Sequence, residues 1–141
     1  MYSSKLMIVM RRDLCMRKGK IAAQAGHACV EVILRALVKE NRLSDFSFGK
    51  DGELLLSHSD RPETPLSEWF TYGAAKICVY VNSEEELLAI DRRAREAGLL
   101  SALICDAGMT EFHGLPTYTC LAIEPATAER VDPITGSLPL Y

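Results

Sequence analysis

The sequence predicts an α/β fold: a single domain with a mixed four-stranded sheet packed against helices. Short apolar segments alternate with longer amphipathic ones, in the order strand, helix, strand, helix, strand, strand. The length of 141 residues is typical of one domain, and no internal repeat or linker divides it. We therefore treat residues 1–141 as a single unit.

The first strand and helix carry the most informative part of the chain. Residues 5–11 are short and apolar, as in a buried strand, and residues 19–38 form a long amphipathic segment. At about 100° per residue, an apolar stripe on this helix lies beside a polar one. The polar stripe contains Lys20, Gln24, His27 and Glu31. We expect one face to pack on the sheet while the other carries polar groups.

Residues 40–70 differ in character from the rest of the chain. Turn-forming residues, among them Asp51-Gly52 and Ser59-Asp60, are scattered through this region. Residues 46–48 and 53–56 flank one of these turns and predict a small hairpin. Trp69 is the only tryptophan, and we expect it to anchor the excursion to the body of the protein.

The second half predicts two further strand–helix units. Residues 76–81 read as a strand, and Ser83 with Glu86 forms a capping box that begins a helix. Gly98 is the expected end of that helix. The remaining predicted elements are strands over 99–105 and 117–123 and a short helix over 128–132.

The charge is distributed unevenly. The net charge of −3 is the balance between +5 in residues 1–27 and −8 in residues 28–141. A focal basic patch on an acidic body attracts phosphate locally while the body repels it elsewhere. This suits transient binding of one part of an RNA, although an ordinary solvated basic turn has the same composition.

Cysteines and apolar segments indicate the compartment. Five cysteines without a Cys-x-x-Cys pair suggest buried thiols in a reducing cytosol rather than disulfides or a zinc site. No apolar stretch approaches the roughly 20 residues that span a bilayer, and no signal-peptide pattern is present. We expect a cytoplasmic protein with no membrane partner.

Candidate site residues lie at two predicted junctions. Asp106 follows a predicted strand, a usual place for a functional carboxylate, but it also suits a turn-initiating aspartate. Lys20, near a helix start, fits either a group that holds phosphate or an oxyanion, or a solvated lysine. Gln24 fits a residue that orients water or an ordinary helix former, and His27 fits a base or a partly buried histidine. Metal-ligand and nucleophile motifs are absent, so we predict no metal, no cofactor and attack by water.

Three ordered blocks make the chain recognisable. They are Met16-x-x-Gly19-Lys20-x-Ala22-Ala23-Gln24-x-x-His27-Ala28, then Asp106-Ala107-Gly108-x-Thr110 continued by Gly114, Thr117, Thr119 and Ile123-x-Pro125, and finally Ile134-Thr135-Gly136-x-Leu138. Together they resemble the signature of the type 2 peptidyl-tRNA hydrolases. The resemblance covers most of residues 5–38 and 74–141, so residues 40–70 are interpreted as an insertion.

The resemblance implies hydrolysis of the ester between a peptide and the 3′-terminal ribose of tRNA, which releases free tRNA. Asp106 would orient or deprotonate the water, and Lys20 would stabilise the oxyanion or the terminal phosphate. Thr110 and Thr117 would bind the water or the ribose, while His27 and Gln24 would support the polar stripe. The tRNA backbone would meet four basic residues: Arg11, Arg12, Arg17 and Lys18.

The chain departs from the family pattern in a few places, and other functions stay open. Met109 replaces a usual basic residue, Glu111 a frequent glutamine, and Glu124 a common glycine. Family members commonly form homodimers, which this sequence neither shows nor excludes. The main alternative is a non-catalytic module that binds tRNA or a translation partner. A protein-interaction scaffold that uses the insertion and a small-molecule hydrolase are the others.

Overall fold

A computed structural model describes residues 2–57 and 61–141 of the chain. In chain order its elements are β1 (Lys5–Arg11), α1 (Lys18–Lys39), β2 (Phe46–Phe48), β3 (Leu54–Leu56), α2 (Pro65–Thr71), β4 (Lys76–Val81), α3 (Glu84–Glu96), β5 (Ser101–Asp106), β6 (Thr117–Ala126) and α4 (Ala128–Thr135). The main sheet has four strands in the order β4-β1-β6-β5. The predicted α/β class with a mixed four-stranded sheet is confirmed.

Strand directions decide where the ends of the strands meet. β1 pairs parallel to β4 and antiparallel to β6. β5 also pairs antiparallel to β6, so it runs in the same direction as β1. The carboxyl ends of β1, β4 and β5 therefore lie at the same end of the sheet, where open α/β sheets commonly bind ligands.

Both faces of the sheet are covered. Side chains alternate along a strand, so β1 sends Leu6, Ile8 and Met10 to one face and Met7 and Val9 to the other. The first face packs against α1 and α2, and the second packs against α3 and α4. The result is a three-layer arrangement with β1 buried at its centre.

Helix α1 is the main cover of the first face. Its buried residues Ala28, Val32 and Ala36 belong to the same core cluster as Ala102 and Ala122 of the sheet. By length and composition α1 is long and apolar enough to cross a membrane, so the expectation that no segment approaches that length is wrong. Packing of its inner face on the sheet accounts for the buried Ala28, Val32 and Ala36 but not for the exposed Val30, Leu34 and Val38.

The remaining boundaries follow local capping. The Ser83 hydroxyl accepts a hydrogen bond from the Glu86 N–H (3.1 Å), and Gly98 has a φ of 77°, so both predicted ends of α3 are confirmed. β5 begins at Ser101 rather than at residue 99, because the Leu99 N–H still bonds to the Ala94 carbonyl of α3. β6 and α4 each extend three residues further than predicted.

The structure refines the interpretation of residues 40–70. The hairpin is confirmed as β2 paired antiparallel with β3. Helix α2 was not predicted, although Thr64 and Ser67 form a capping box around Pro65. Trp69 is 4 % exposed and donates to the Ala75 carbonyl (2.8 Å), which confirms it as an anchor. The turn predicted at Ser59-Asp60 lies outside the described residues.

A buried arginine organises the same region. Arg42 is 1 % exposed, and its guanidinium donates to the Glu40 carboxylate (2.9 Å) and to the Ser57 carbonyl (3.2 Å). The Thr64 hydroxyl and the Arg61 side chain also bond to Glu40, through its carboxylate and its carbonyl respectively. Glu40 and Arg42 thus connect the end of α1 to the hairpin and to α2.

Most cysteine positions agree with the expectation of buried thiols. Cys120 is buried, and Cys29 and Cys78 are partly buried. Cys105 is exposed, contrary to expectation, because it lies near the end of the edge strand β5. Cys15 in the basic turn is also exposed.

We predict that Arg42→Ala lowers the free energy of unfolding by about 3 kcal/mol, because it leaves Glu40 without its buried partner. Urea unfolding followed by Trp69 fluorescence measures the change. Arg92→Ala, an exposed arginine on α3, is the matched control and should change stability by less than about 0.5 kcal/mol. Equal effects of the two substitutions would contradict the structural role of Arg42.

Candidate active site

The predicted site residues come together where α1 begins and β5 ends. Lys20 is the third residue of α1, and Asp106 is the last residue of β5. They are 86 positions apart in sequence, yet the Lys20 Nζ donates to the Asp106 Oδ1 at 2.9 Å. The same Nζ donates to the Thr110 Oγ1 at 2.9 Å. One ammonium therefore contacts both a carboxylate and a hydroxyl.

Both carboxylate oxygens of Asp106 accept hydrogen bonds. Besides Lys20, the Gln24 Nε2 donates to Oδ1 (3.2 Å), and the Gly108 N–H donates to Oδ2 (2.9 Å). The hydrogen bond from Lys20 is the largest cause that lowers the pKa of Asp106, and the bonds from Gly108 and Gln24 act in the same direction. Asp106 is therefore ionised at neutral pH.

Gln24 is an internal support and does not lie on a solvated stripe. It is 2 % exposed, and its Oε1 accepts a hydrogen bond of 2.5 Å from the hydroxyl of Thr119, which is 0 % exposed. That bond turns the amide nitrogen of Gln24 towards Asp106. Sequence reasoning assigned Thr119 no role; the available signal was a hydroxyl in the second motif block, directly before the apolar residues 120–123 of β6.

The loop after Asp106 depends on a glycine and a threonine. Gly108 has a φ of 81°, and a Cβ at this position would lie 2.4 Å from the Leu115 carbonyl oxygen. The Thr117 hydroxyl donates to the same Leu115 carbonyl (2.9 Å). Thr117 also pairs with Asp106 in the β5–β6 register. Thr117 thus holds the loop next to Asp106, and its hydroxyl is engaged there.

His27 lies beside the cluster without joining it. It is exposed, and within the described part of the chain no hydrogen bond reaches its imidazole. It lines a groove of about 870 Å³ together with Gln24 and Asp106. In this position His27 faces whatever occupies the groove rather than the Lys20–Asp106 pair.

The predicted basic residues fall into two groups. The side chain of Arg17 is 90 % exposed, with only a long contact of 3.8 Å to Glu111, and Lys18 and Arg12 are exposed as well. Arg12 lies over the ring of Tyr80. Arg11 differs: its side chain is 11 % exposed and bonds to the Asp13 carboxylate and the Tyr118 carbonyl. Its guanidinium is engaged within the protein.

The three departures from the family pattern have different surroundings. Met109 is 85 % exposed on the loop, and Glu111 lies near Arg17. Glu124 is 7 % exposed and accepts hydrogen bonds from the Leu100 N–H (2.6 Å) and Lys39 (3.0 Å). Glu124 therefore serves the packing of β6 rather than the site.

The thiols of Cys120 and Cys29 are poor nucleophiles. Burial raises the pKa of Cys120 to about 12 and also raises the pKa of Cys29. A thiol with a raised pKa is protonated and unreactive at neutral pH. Within residues 2–57 and 61–141, no three His, Cys, Asp or Glu side chains form a metal-binding group.

We predict that Asp106→Asn lowers the free energy of unfolding by roughly 1–2 kcal/mol at pH 7, because charge-assisted hydrogen bonds are lost. Folding lowers the pKa of Asp106 below its ordinary value of 3.8, so its contribution is complete above that value and is lost as the pH falls through the folded pKa. The difference between wild type and variant should therefore be constant from pH 7 to about 5 and shrink below about 3.8.

Urea unfolding at each pH, followed by Trp69 fluorescence, tests this expectation. Asp132→Asn is the control, since the Asp132 side chain is 48 % exposed and pairs with Lys5. An exposed pair should contribute less than about 1 kcal/mol. A wild-type advantage that grew as the pH fell from 7 towards 4 would mean that folding raises the pKa of Asp106 rather than lowers it.

Comparisons with known proteins identify the family of the chain. A model of the peptidyl-tRNA hydrolase PTH2 family matches residues 4–141. A protein of Methanocaldococcus jannaschii named peptidyl-tRNA hydrolase is 39% identical over 136 residues, which cover 96% of this chain and 98% of the relative. A probable peptidyl-tRNA hydrolase 2 of Drosophila melanogaster is 40% identical over 96% of this chain and 61% of its own length.

A solved structure is similar in fold alone. A protein of unknown function from Agrobacterium tumefaciens matches with a TM-score of 0.52 and 13% identity, covering 100% of this chain and 99% of that one. Family assignment depends on the sequence matches, which span nearly the whole chain and include both halves of the Lys20–Asp106 cluster. The chain belongs to the peptidyl-tRNA hydrolase PTH2 family.

Proposed function

We propose that this protein hydrolyses the ester between the peptide and the tRNA of peptidyl-tRNA, with the Lys20–Asp106–Thr110 cluster as its catalytic centre. The observation that carries the proposal is the single ammonium that contacts both Asp106 and Thr110 at 2.9 Å. A water attacks the ester carbonyl carbon, and the carbonyl oxygen becomes an oxyanion. The bond between that carbon and the ribose oxygen then breaks, and one proton of the water is transferred to the ribose oxygen. The products are a free peptide acid and tRNA with a free ribose hydroxyl.

Asp106 orients the attacking water rather than deprotonating it. A general base works best when its pKa lies near the working pH, and the pKa of Asp106 is lowered by its contacts. Its oxygens accept bonds from Lys20, Gln24 and Gly108. This leaves Asp106 suited to hold Lys20 in place and to accept a hydrogen bond from the attacking water.

Lys20 and Thr110 act on the substrate. A fixed ammonium stabilises the negative charge that develops on the carbonyl oxygen, and it does so without rearrangement during the reaction. Since the Thr110 oxygen accepts from Lys20, its own hydroxyl proton is free to bind the water or the ribose. Both side chains reach the same small volume, so water and ester are brought into contact.

The other predicted residues have supporting roles. Gln24, fixed by Thr119, keeps Asp106 in position. Thr117 holds the loop that carries Thr110. His27 contacts substrate in the groove and has no part in orienting Asp106.

We assign tRNA binding to Arg12, Arg17 and Lys18, because all three are exposed. Arg12 and Arg17 lie in the segment between β1 and α1, and Lys18 is the first residue of α1. Phosphate contacts of this kind supply affinity and register. Arg11 is assigned a positioning role in this turn, because Asp13 and the Tyr118 carbonyl occupy its guanidinium.

The alternative of a non-catalytic tRNA- or partner-binding module is less favoured, because it gives no reason for a satisfied ammonium–carboxylate pair at the groove. A cytoplasmic location and a homodimer stay predictions. Sedimentation of the purified protein measures the oligomeric state.

We predict that Lys20→Ala and Asp106→Asn each lower kcat/KM by about 100-fold or more for release of labelled peptide from an N-blocked aminoacyl-tRNA. Thr110→Val should lower it by a smaller factor, about tenfold, because one hydrogen bond is removed. The assay contains EDTA, since no added metal is expected to be needed.

The matched control is Lys39→Ala, which removes another lysine from the same helix that pairs with Glu124. It should retain wild-type turnover. Wild-type protein that bound tRNA without releasing peptide would refute the hydrolase and support the binding module.

We predict that Arg17→Ala and Lys18→Ala each reduce by about 1 the slope of log affinity against log salt concentration for tRNA, because each removes one phosphate contact. Filter binding at several salt concentrations measures the slope. Arg92→Ala, on the helix that covers the opposite face of the sheet, should leave it unchanged. A slope that neither Arg17→Ala nor Lys18→Ala changes would exclude this turn from tRNA binding.

A further inference from the structure

We propose that the groove between α1 and the edge of β5 binds the peptide part of the substrate in an extended form and favours apolar peptides. This inference rests on the proposed function and adds a substrate preference to it. The groove of about 870 Å³ opens beside Asp106, so a peptide whose ester lies at the Lys20–Asp106 pair has this path in front of it.

The first argument is the free edge of the sheet. β5 is the last strand in the order β4-β1-β6-β5, so within the described residues one side of it has no neighbouring strand. An unpaired edge offers backbone N–H and C=O groups to an extended chain. Leu103, Ile104 and Cys105 of this strand line the groove and lead directly to Asp106.

The second argument is the apolar part of the opposite wall, which also carries His27 and Glu31. Val30 and Leu34 of α1 line the groove and are 62 % and 47 % exposed. They face away from the buried stripe of α1, so packing of the helix on the sheet does not explain them. Side chains of an apolar peptide would cover them.

The third argument is a second apolar cavity, on the other side of α1. Val30 and Leu34 also line a neighbouring pocket of about 310 Å³ whose other walls include Phe46 and Leu54 of the hairpin and Trp69 of α2. Val30 and Leu34 therefore lie between the groove on the β5 side of α1 and an apolar pocket on its hairpin side. A peptide that crosses these two side chains would reach the hairpin.

The two ends of α1 match the two parts of the substrate. Its amino end lies next to the basic residues assigned to tRNA, and Val30 and Leu34 lie further along towards its carboxyl end. From Lys20 to Leu34 the helix rises about 21 Å at 1.5 Å per residue. An extended peptide covers that distance with about six residues. Preference should therefore grow with peptide length up to about that number.

The test compares three substrates on one tRNA: an N-blocked single aminoacyl group, a blocked pentapeptide of leucine and valine, and a blocked pentapeptide of glycine and serine, all with the same ester-linked residue. We expect wild-type kcat/KM to be about tenfold higher for the apolar pentapeptide than for the other two. In the double variant Val30→Ser, Leu34→Ser this advantage disappears, mainly through a higher KM, while the single-residue substrate is cleaved as before.

Val38→Ser is the matched control. Val38 is also 62 % exposed on α1 but does not line either cavity, so this variant should keep the tenfold preference. If wild type cleaves all three substrates equally, the peptide groove is refuted while the hydrolase stands. If it cleaves none of them, the hydrolase itself fails, and this inference fails with it.

The alternative occupant of the groove is a second copy of the chain. Sedimentation at the assay concentration distinguishes this alternative from a bound peptide. A wild-type dimer that the double variant converts to a monomer would mean that the groove is a subunit interface, which overturns the proposal. A double variant with the same oligomeric state as wild type, together with the lost preference, supports the peptide groove.

Discussion

The carboxylate of Asp106 is the constraint on which the site depends. It is largely enclosed, with its side chain 14 % exposed, so it needs partners for both oxygens. Those partners come from three separate parts of the chain: Lys20 and Gln24 on α1, and the Gly108 N–H on the following loop. Satisfying one charge therefore fixes the start of α1, the end of β5 and the loop relative to one another. The same contacts hold the Lys20 ammonium in a fixed position.

Sheet topology makes that meeting possible. Since β1 and β5 both run antiparallel to β6, their carboxyl ends emerge on the same side. The chain after β1 turns directly into α1, and α1 then crosses the face of β6 and β5 with small residues beneath it, including Ala102, Cys120 and Ala122. Small side chains allow the helix to approach closely enough for Lys20 and Gln24 to reach Asp106.

Three parts of α1 differ in their chemistry and exposure. Its inner stripe is core, its amino end is basic, and its outer carboxyl half is apolar and open. The region at 40–70 is secured by the buried Arg42 and by Trp69, so its hairpin is a fixed wall beside that outer half. The surfaces proposed for a polyanion, an ester and a peptide thus all lie around one element of a chain of 141 residues.

The sequence by itself determined the α/β class and most element boundaries, because period and capping are local signals. Its motifs and the family resemblance named Lys20 and Asp106 as site candidates, and only the structure showed that their side chains meet. It missed α2, whose capping box lies among turn residues. Tertiary structure alone decided that Gln24 is internal, that Thr119 orients it, and that Arg11 is engaged by Asp13. These facts depend on contacts between distant segments, and a side chain's partners across a fold leave no periodic trace in sequence. The groove is likewise a property of two surfaces that only folding brings side by side.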